Sequence, residues 1–478
     1  MKINFAILSL ALLPGALFAQ NKFTGTWTGE LRTVDTLRVV LHVSQSADGT
    51  YTATIDNPDQ NAFGIKCDRV EAIDNGQTST LNFSIDKIKV SYTGKIINDS
   101  TLSGTFTQGV SLPLGFHKSY VPSVAREMKR PQTPKPPFPY RSEEVIYKSP
   151  DQLIQFGGTI TIPQGRGPFP AVVLITGSGQ QDRDETIFDH KPFAVLADAL
   201  TRNGFVVLRV DDRGKGNTTG NAFTSTTADF VKDVNTAVDY LRSRSEVNDD
   251  KIGLLGHSEG GLIAPIVASQ RKDIDFIVLL AGPGVATLDL MVEQNAAFLK
   301  AAGISPVVAE QYKVLYRDVV NTILNSADQN TAKQQVLIKI NNWIAKNDSA
   351  VAYAVGFKSE KDKEQYAAQF VAQLSSPWMK YFMRMDPRPY LTDLKKVKVL
   401  ALNGSKDIQV VSQQNLPAIA AALREGHTKT FETRELYGLN HLFQTCTKCT
   451  IPEYGELEET FSPVALQTIT GWLNKNVK

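Results

Sequence analysis

"KIGLLGHSEGG", residues 251–261, sets an apolar run against a serine flanked by glycines two residues away on either side. The run at 251–255 reads as a buried strand, and "GGLIAPIVAS" at 260–269 as the helix that follows it. Between them Gly256-His257-Ser258-Glu259-Gly260 fits G-x-S-x-G, a sharp strand-to-helix turn that pushes the serine hydroxyl outward. Side chains two residues either side of that serine would collide, which explains the glycines. A serine hydroxyl is a poor nucleophile until a base takes its proton. Ser258 therefore has chemistry only if the rest of the chain supplies a histidine, an acid and N–H donors.

The surrounding pattern supplies a sheet to carry them. "FPAVVLITG" (169–177), "GFVVLRVDDRG" (204–214), "IDFIVLLAG" (274–282) and "KVKVLALNG" (396–404) are near-continuous apolar runs, each ending in glycine. Helical patterns such as "KPFAVLADALTRNG" (191–204) and "TADFVKDVNTAVDYLRS" (227–243) lie between them. Strands apolar on both faces, alternating with amphipathic helices, predict an α/β fold with a mostly parallel sheet covered on both sides. Over residues 285–396 strand-like runs give way to long helical ones, among them "VVAEQYKVLYRDVVNTIL" (307–324). This insertion is read as a helical cap over the carboxyl ends of the strands, where open α/β sheets bind ligands.

Of the six histidines, His42 and His117 lie in a β-rich N-terminal region, His190 follows the first strong strand, and His257 belongs to the turn itself. His427 sits in a polar surface turn. His441, in "YGLNHLFQ" (437–444), falls between a strand-like stretch and the last helix, and is the candidate base. Asp407, just after the strand in "KVKVLALNGSKDIQV" (396–410), is the candidate acid to orient it. Its competitor, Asp386, precedes that strand. An acyl-transfer transition state also needs rigid N–H donors for its oxyanion. The backbone of Glu259 at the helix start supplies one. Ser178, in the glycine loop "TGSGQQDRDE" (176–185), is assigned the other, with Gly179 and Gln180 as alternatives. The side chains of Glu259, Gln180 and Asp182 are expected to shape the loop.

The motifs "ITGSGQQDRDE", "LRVDDRGKGNTTG", "GHSEGG", "SPWMKYFMRMDPRPYL", "LALNGSKDIQV" and "GLNHLFQ" resemble those of bacterial α/β-hydrolase carboxylesterases in which a β-rich domain precedes the catalytic one. The resemblance covers most of residues 144–478. It implies an α/β-hydrolase fold and hydrolysis of carboxylic esters, often with short acyl chains, by Ser258, His441 and Asp407 without a cofactor. Thr176 departs from many relatives, which carry histidine before the oxyanion glycine. Arg213, in "DDRGKG", is expected to be a structural pin. The same triad on this fold cleaves peptides in serine aminopeptidases. That rival needs acidic groups in the cap to hold a free amine, for which Glu293, Glu310, Glu360, Asp362 and Glu364 are available. Acyl transfer and non-catalytic ligand binding are further alternatives.

Outside this core, residues 21–120 carry short alternating segments such as "GTWTGEL", "LRVVLHVSQ" and "IKVSYTGKI", which predict a small antiparallel barrel or sandwich. A Pro-rich stretch over 121–143 reads as a semi-rigid linker. Residues 1–19, with Lys2, an apolar run and small residues up to Ala19, have the layout of a cleavable signal peptide. They predict export to the periplasm or medium. Lys and Arg total 51 against 49 for Asp and Glu, a balance that gives no reason to expect nucleic acid or an anionic membrane as partner. The expected partner is a small-molecule ester. In an exported chain Cys446 and Cys449 are close enough in sequence for a local disulfide or two idle thiols, and no further metal ligands adjoin them. Cys67 is expected to be a buried free thiol.

Overall fold

Strands buried on both faces pair into one sheet in the C-terminal part of the chain, in the order Arg141–Lys148, Gln155–Ile162, Val206–Val210, Phe169–Ile175, Val247–His257, Phe276–Leu280, Lys398–Gly404, Phe431–Leu436. The first two strands run antiparallel to their neighbours and the remaining pairings are parallel. This computed structural model describes residues 22–32, 36–46, 48–60, 62–108, 110–118 and 129–478. The expected signal peptide at 1–19 and the first part of the expected linker lie outside the described residues. The chain divides into two units with the boundary between Glu127 and Met128.

In the second unit, helices cover both faces of the sheet. Val173, Leu208, Leu254 and Ile277 point to one side, against Val238, Leu241, Leu262 and Val267. Val172, Val207, Leu255 and Val278 point to the other, against Leu196, Leu200, Ile469 and Leu473. This two-sided burial is why the strands read as unbroken apolar runs. Between Phe276–Leu280 and Lys398–Gly404 the chain is helical throughout, from Thr287–Ala301 to Arg388–Thr392. No helix among the described residues is long and apolar enough to cross a membrane.

In the first unit, nine strands between Gly25 and Lys118 form one antiparallel sheet in which the first strand pairs with the last. It is a single sheet, and Trp27, Leu41, Leu81 and Phe116 fill its core. Three of its strands escape the alternation rule. Ala62–Lys66 contains a glycine, Arg69–Asp74 carries three charged residues among its six, and Val110–Lys118 contains Pro113. Cys67 is a half-buried free thiol whose titration burial pushes up to about 12.

The Pro-rich stretch differs from a free linker from Arg130 onward. The Arg130 guanidinium donates to the backbone oxygens of Leu457, Phe188 and Gly455 at 2.7, 2.8 and 2.9 Å. Gln132 bonds the backbone of Thr460 and Phe461. Proline has no N–H to donate, and the side chains of Arg130 and Gln132 tie this stretch down instead.

Beside Arg130 lies His190, which is 1% exposed. Its Nε2 is 2.9 Å from the Tyr454 oxygen and its Nδ1 is 2.8 Å from the Thr460 hydroxyl. One donor and one acceptor suit a neutral ring. Burial, helped by the Arg130 charge, pushes its pKa down to about 4. A histidine in the unfolded chain takes up a proton below about 6.5, whereas His190 in the folded protein does not. The unfolded state then binds more protons, so stability falls as pH drops from about 6.5 to about 4. The expected loss from this group is about 3 kcal/mol, and His190→Gln should flatten that part of the slope. Urea denaturation of both proteins across this pH range checks it.

Candidate active site

The elbow adopts the strained turn its glycines allow. Ser258 has φ 53° and ψ −115°, between strand Val247–His257 and helix Glu259–Gln270. Its N–H donates to the Leu280 oxygen at 2.9 Å, pinning the turn to the next strand. A β-carbon on Gly256 would lie 2.0 Å from the Gly260 oxygen, and one on Gly260 would lie 2.2 Å from the Ile175 oxygen. Backbone atoms cannot yield to either.

Asp407 follows strand Lys398–Gly404, and its Oδ1 accepts the N–H groups of Gln409 and Val410 at 2.8 and 2.9 Å. Its Oδ2 lies 2.8 Å from His441 Nδ1. A carboxylate accepts, so Nδ1 carries the proton of this bond. Both side chains are buried. Ser258, His441, Glu259 and Ser178 all line one cavity of about 240 Å³. Its apolar wall comes from Leu290 and Met291 of one inserted helix and Trp378, Met379 and Phe382 of another. Asp386, the competing acid, is exposed and caps the Arg388 N–H instead.

The glycine loop is held from three sides. Thr176 donates its hydroxyl to Asp212 at 2.8 Å, and the Gln181 N–H donates to the same carboxylate at 2.7 Å. Gly177 donates its N–H to Glu185 at 2.6 Å. Among the expected donors, Ser178 borders the cavity, whereas Gln180 turns away to bond the Arg213 oxygen. Arg213 in turn grips Asp233 through two hydrogen bonds of 2.7 and 2.8 Å, as a structural pin would.

Two further pieces of the site were not legible as such. The Glu259 carboxylate is buried and accepts from Trp378 Nε1 at 2.9 Å, from Thr227 at 2.7 Å and from Ser178 Oγ at 2.9 Å. Burial raises its pKa, opposed by these three donors. It therefore does more than shape a loop, since it joins the glycine loop to an inserted helix. His257 lies 3.0 Å from Glu185 through Nδ1 and 3.0 Å from the His441 backbone oxygen through Nε2. The partners are 72 and 184 residues away, beyond any local pattern. Farther along the chain, Cys446 and Cys449 form a disulfide, and the N–H groups of Thr447, Lys448 and Cys449 all bond Glu453.

A mostly parallel sheet with a serine elbow, an acid after a later strand and a histidine ahead of the last helix defines the α/β-hydrolase fold. Residues 190–355 match the family model described as Serine aminopeptidase, S33 (Hydrolase_4). The chain is 35% identical over 158 residues to Esterase EstD of Thermotoga maritima, covering 33% of this chain and 37% of that protein. It is 24% identical over 222 residues to Acyl-coenzyme A thioesterase 3 of Mus musculus, covering 46% and 45%. The chain thus spans less than half the length of these two relatives. Among solved structures, the Pyrococcus furiosus esterase Pf2001 aligns over 71% of this chain and 94% of its own, at 14% identity and a TM-score of 0.41.

Gly256→Ala and Gly260→Ala should each break the elbow. Each is expected to cost roughly 3 kcal/mol or more through backbone collision, read as a lower thermal midpoint together with loss of labelling by a fluorophosphonate probe.

Proposed function

We propose that this chain is an exported serine esterase that hydrolyses small or short-acyl carboxylic esters. The observation that carries the reading is the buried Asp407–His441 pair, whose histidine lines the same cavity as Ser258. Ser258 Oγ attacks the ester carbonyl while His441 Nε2 takes its proton, and Asp407 holds the ring and stabilises the imidazolium. The oxyanion is met by the N–H of Glu259, which as the first residue of a helix has no intrahelical partner, and by the N–H of Ser178. His441 then protonates the leaving alcohol, and water repeats the sequence to release the acid. No cofactor takes part in these steps.

A cavity of about 240 Å³ falls below the roughly 300 Å³ at which drug-sized sites begin, which favours short acyl groups. The thioesterase relatives make acyl thioesters worth including among the substrates. The S33 description favours a second reading, an aminopeptidase. That activity needs a carboxylate to hold a free amine, and the carboxylates lining the cavity are already engaged. Glu185 bonds His257 and Gly177, and Glu259 bonds three donors. Of the cap acids, Glu293 and Glu310 pair with Lys313, and Glu360 with Lys363. Export is supported by the leader pattern at 1–19 and by the disulfide, which suits an oxidising compartment.

The test is a screen of p-nitrophenyl esters of graded chain length beside aminoacyl-p-nitroanilides. Short esters should be the better substrates, and amide turnover well above ester turnover would reverse the assignment. Ser258→Ala and Asp407→Asn should each lower kcat by about 10⁴-fold or more, and Ser258→Ala should abolish fluorophosphonate labelling.

A further inference from the structure

His257 occupies a variable position of the elbow motif, and no step of acyl transfer calls for a titratable side chain there. It is nonetheless buried between two acceptors. The His441 backbone oxygen, 3.0 Å from Nε2, can only accept, so Nε2 carries a proton. Glu185 Oε1, 3.0 Å from Nδ1, also accepts the Gly177 N–H at 2.6 Å, and as a carboxylate it accepts from Nδ1 too. A ring that donates from both nitrogens is an imidazolium. Its charge is matched by Glu185, which holds φ 52° where a side chain is strained, so the surrounding bonds over-determine its place. Burial alone would lower the His257 pKa, and the carboxylate instead lifts it above the ordinary range.

We infer that His257 is a permanent imidazolium paired with Glu185, and that the pair is a positioning device tying the loop of the catalytic base to the oxyanion loop. At one end Glu185 engages the Gly177 N–H, which leaves the next N–H, that of Ser178, for substrate. At the other end His257 fixes the backbone of His441. The two rings lie 4.7 Å apart, tilted by 45°. The charged and titratable groups around His257 are Glu185, His441 and Asp407, with Asp212 beside Glu185. The positioning role rests on the esterase reading, whereas the charge state does not.

The charge state is read by ¹⁵N NMR of the full chain labelled in its histidine rings. At about pH 8, where an ordinary histidine is neutral, one ring should show both nitrogens protonated. That signal should vanish in His257→Gln and become singly protonated in Glu185→Gln. A wild-type spectrum with no doubly protonated ring at that pH overturns the inference, and needs no variant to fold. In ester hydrolysis both variants should lose kcat about 10- to 100-fold with KM little changed. Unchanged kcat in both variants overturns the positioning role. Wild-type protein that hydrolyses no ester refutes the esterase reading instead, and the spectrum still decides the charge.

Discussion

A collision that cannot occur governs this molecule. Strand Val247–His257 reverses into helix Glu259–Gln270 within a single residue, and the backbone oxygens of Gly260 and Ile175 lie where β-carbons would otherwise stand. The close approach holds Ser258 in a conformation of about 1–3 kcal/mol strain, and the sheet on either side absorbs it. Every other element of the site is arranged with respect to this one turn. The acid and the histidine are delivered from strand ends on one side, and the glycine loop comes from strand Phe169–Ile175 on the other.

Around the turn, buried carboxylates do the joining. Asp407 and Glu185 each accept from an imidazole and from backbone N–H groups, whereas Glu259 accepts from three neutral donors. A buried carboxylate left without partners costs several kcal/mol, so each becomes a point at which separate segments must agree in position. Through Glu259 the indole of Trp378, in the helical insertion, is coupled to the hydroxyl of Ser178 in the glycine loop. The apolar wall of the cavity and the glycine loop beside it therefore share one anchor.

The sequence made the sheet legible because strands buried on both faces leave unbroken apolar runs. The fixed chain order of strand-end chemistry singled out Ser258, Asp407 and His441 as candidates, and the structure brings Asp407 and His441 within 2.8 Å of each other. Strand Val110–Lys118 was hidden by Pro113 and Arg69–Asp74 by its charges, since alternation fades in strands of mixed polarity. The roles of Glu185, His257, Trp378 and the Glu259 side chain were hidden for another reason. Their partners lie from 8 to 184 residues away, and a glutamate bound to Thr227 and Trp378 looks in sequence like any helix-terminal acid. Arg130 was likewise masked by the prolines around it.

Arg130 and Gln132 also define where this molecule can be divided. Three carbonyls of segment 188–457 and the backbone at 460–461 are satisfied from a stretch that precedes the first strand of the sheet. The second unit is therefore tied together from ahead of the first strand of its sheet. Grafting it onto another partner, in evolution or at the bench, leaves the shell closed only if the seam falls on the N-terminal side of Arg130.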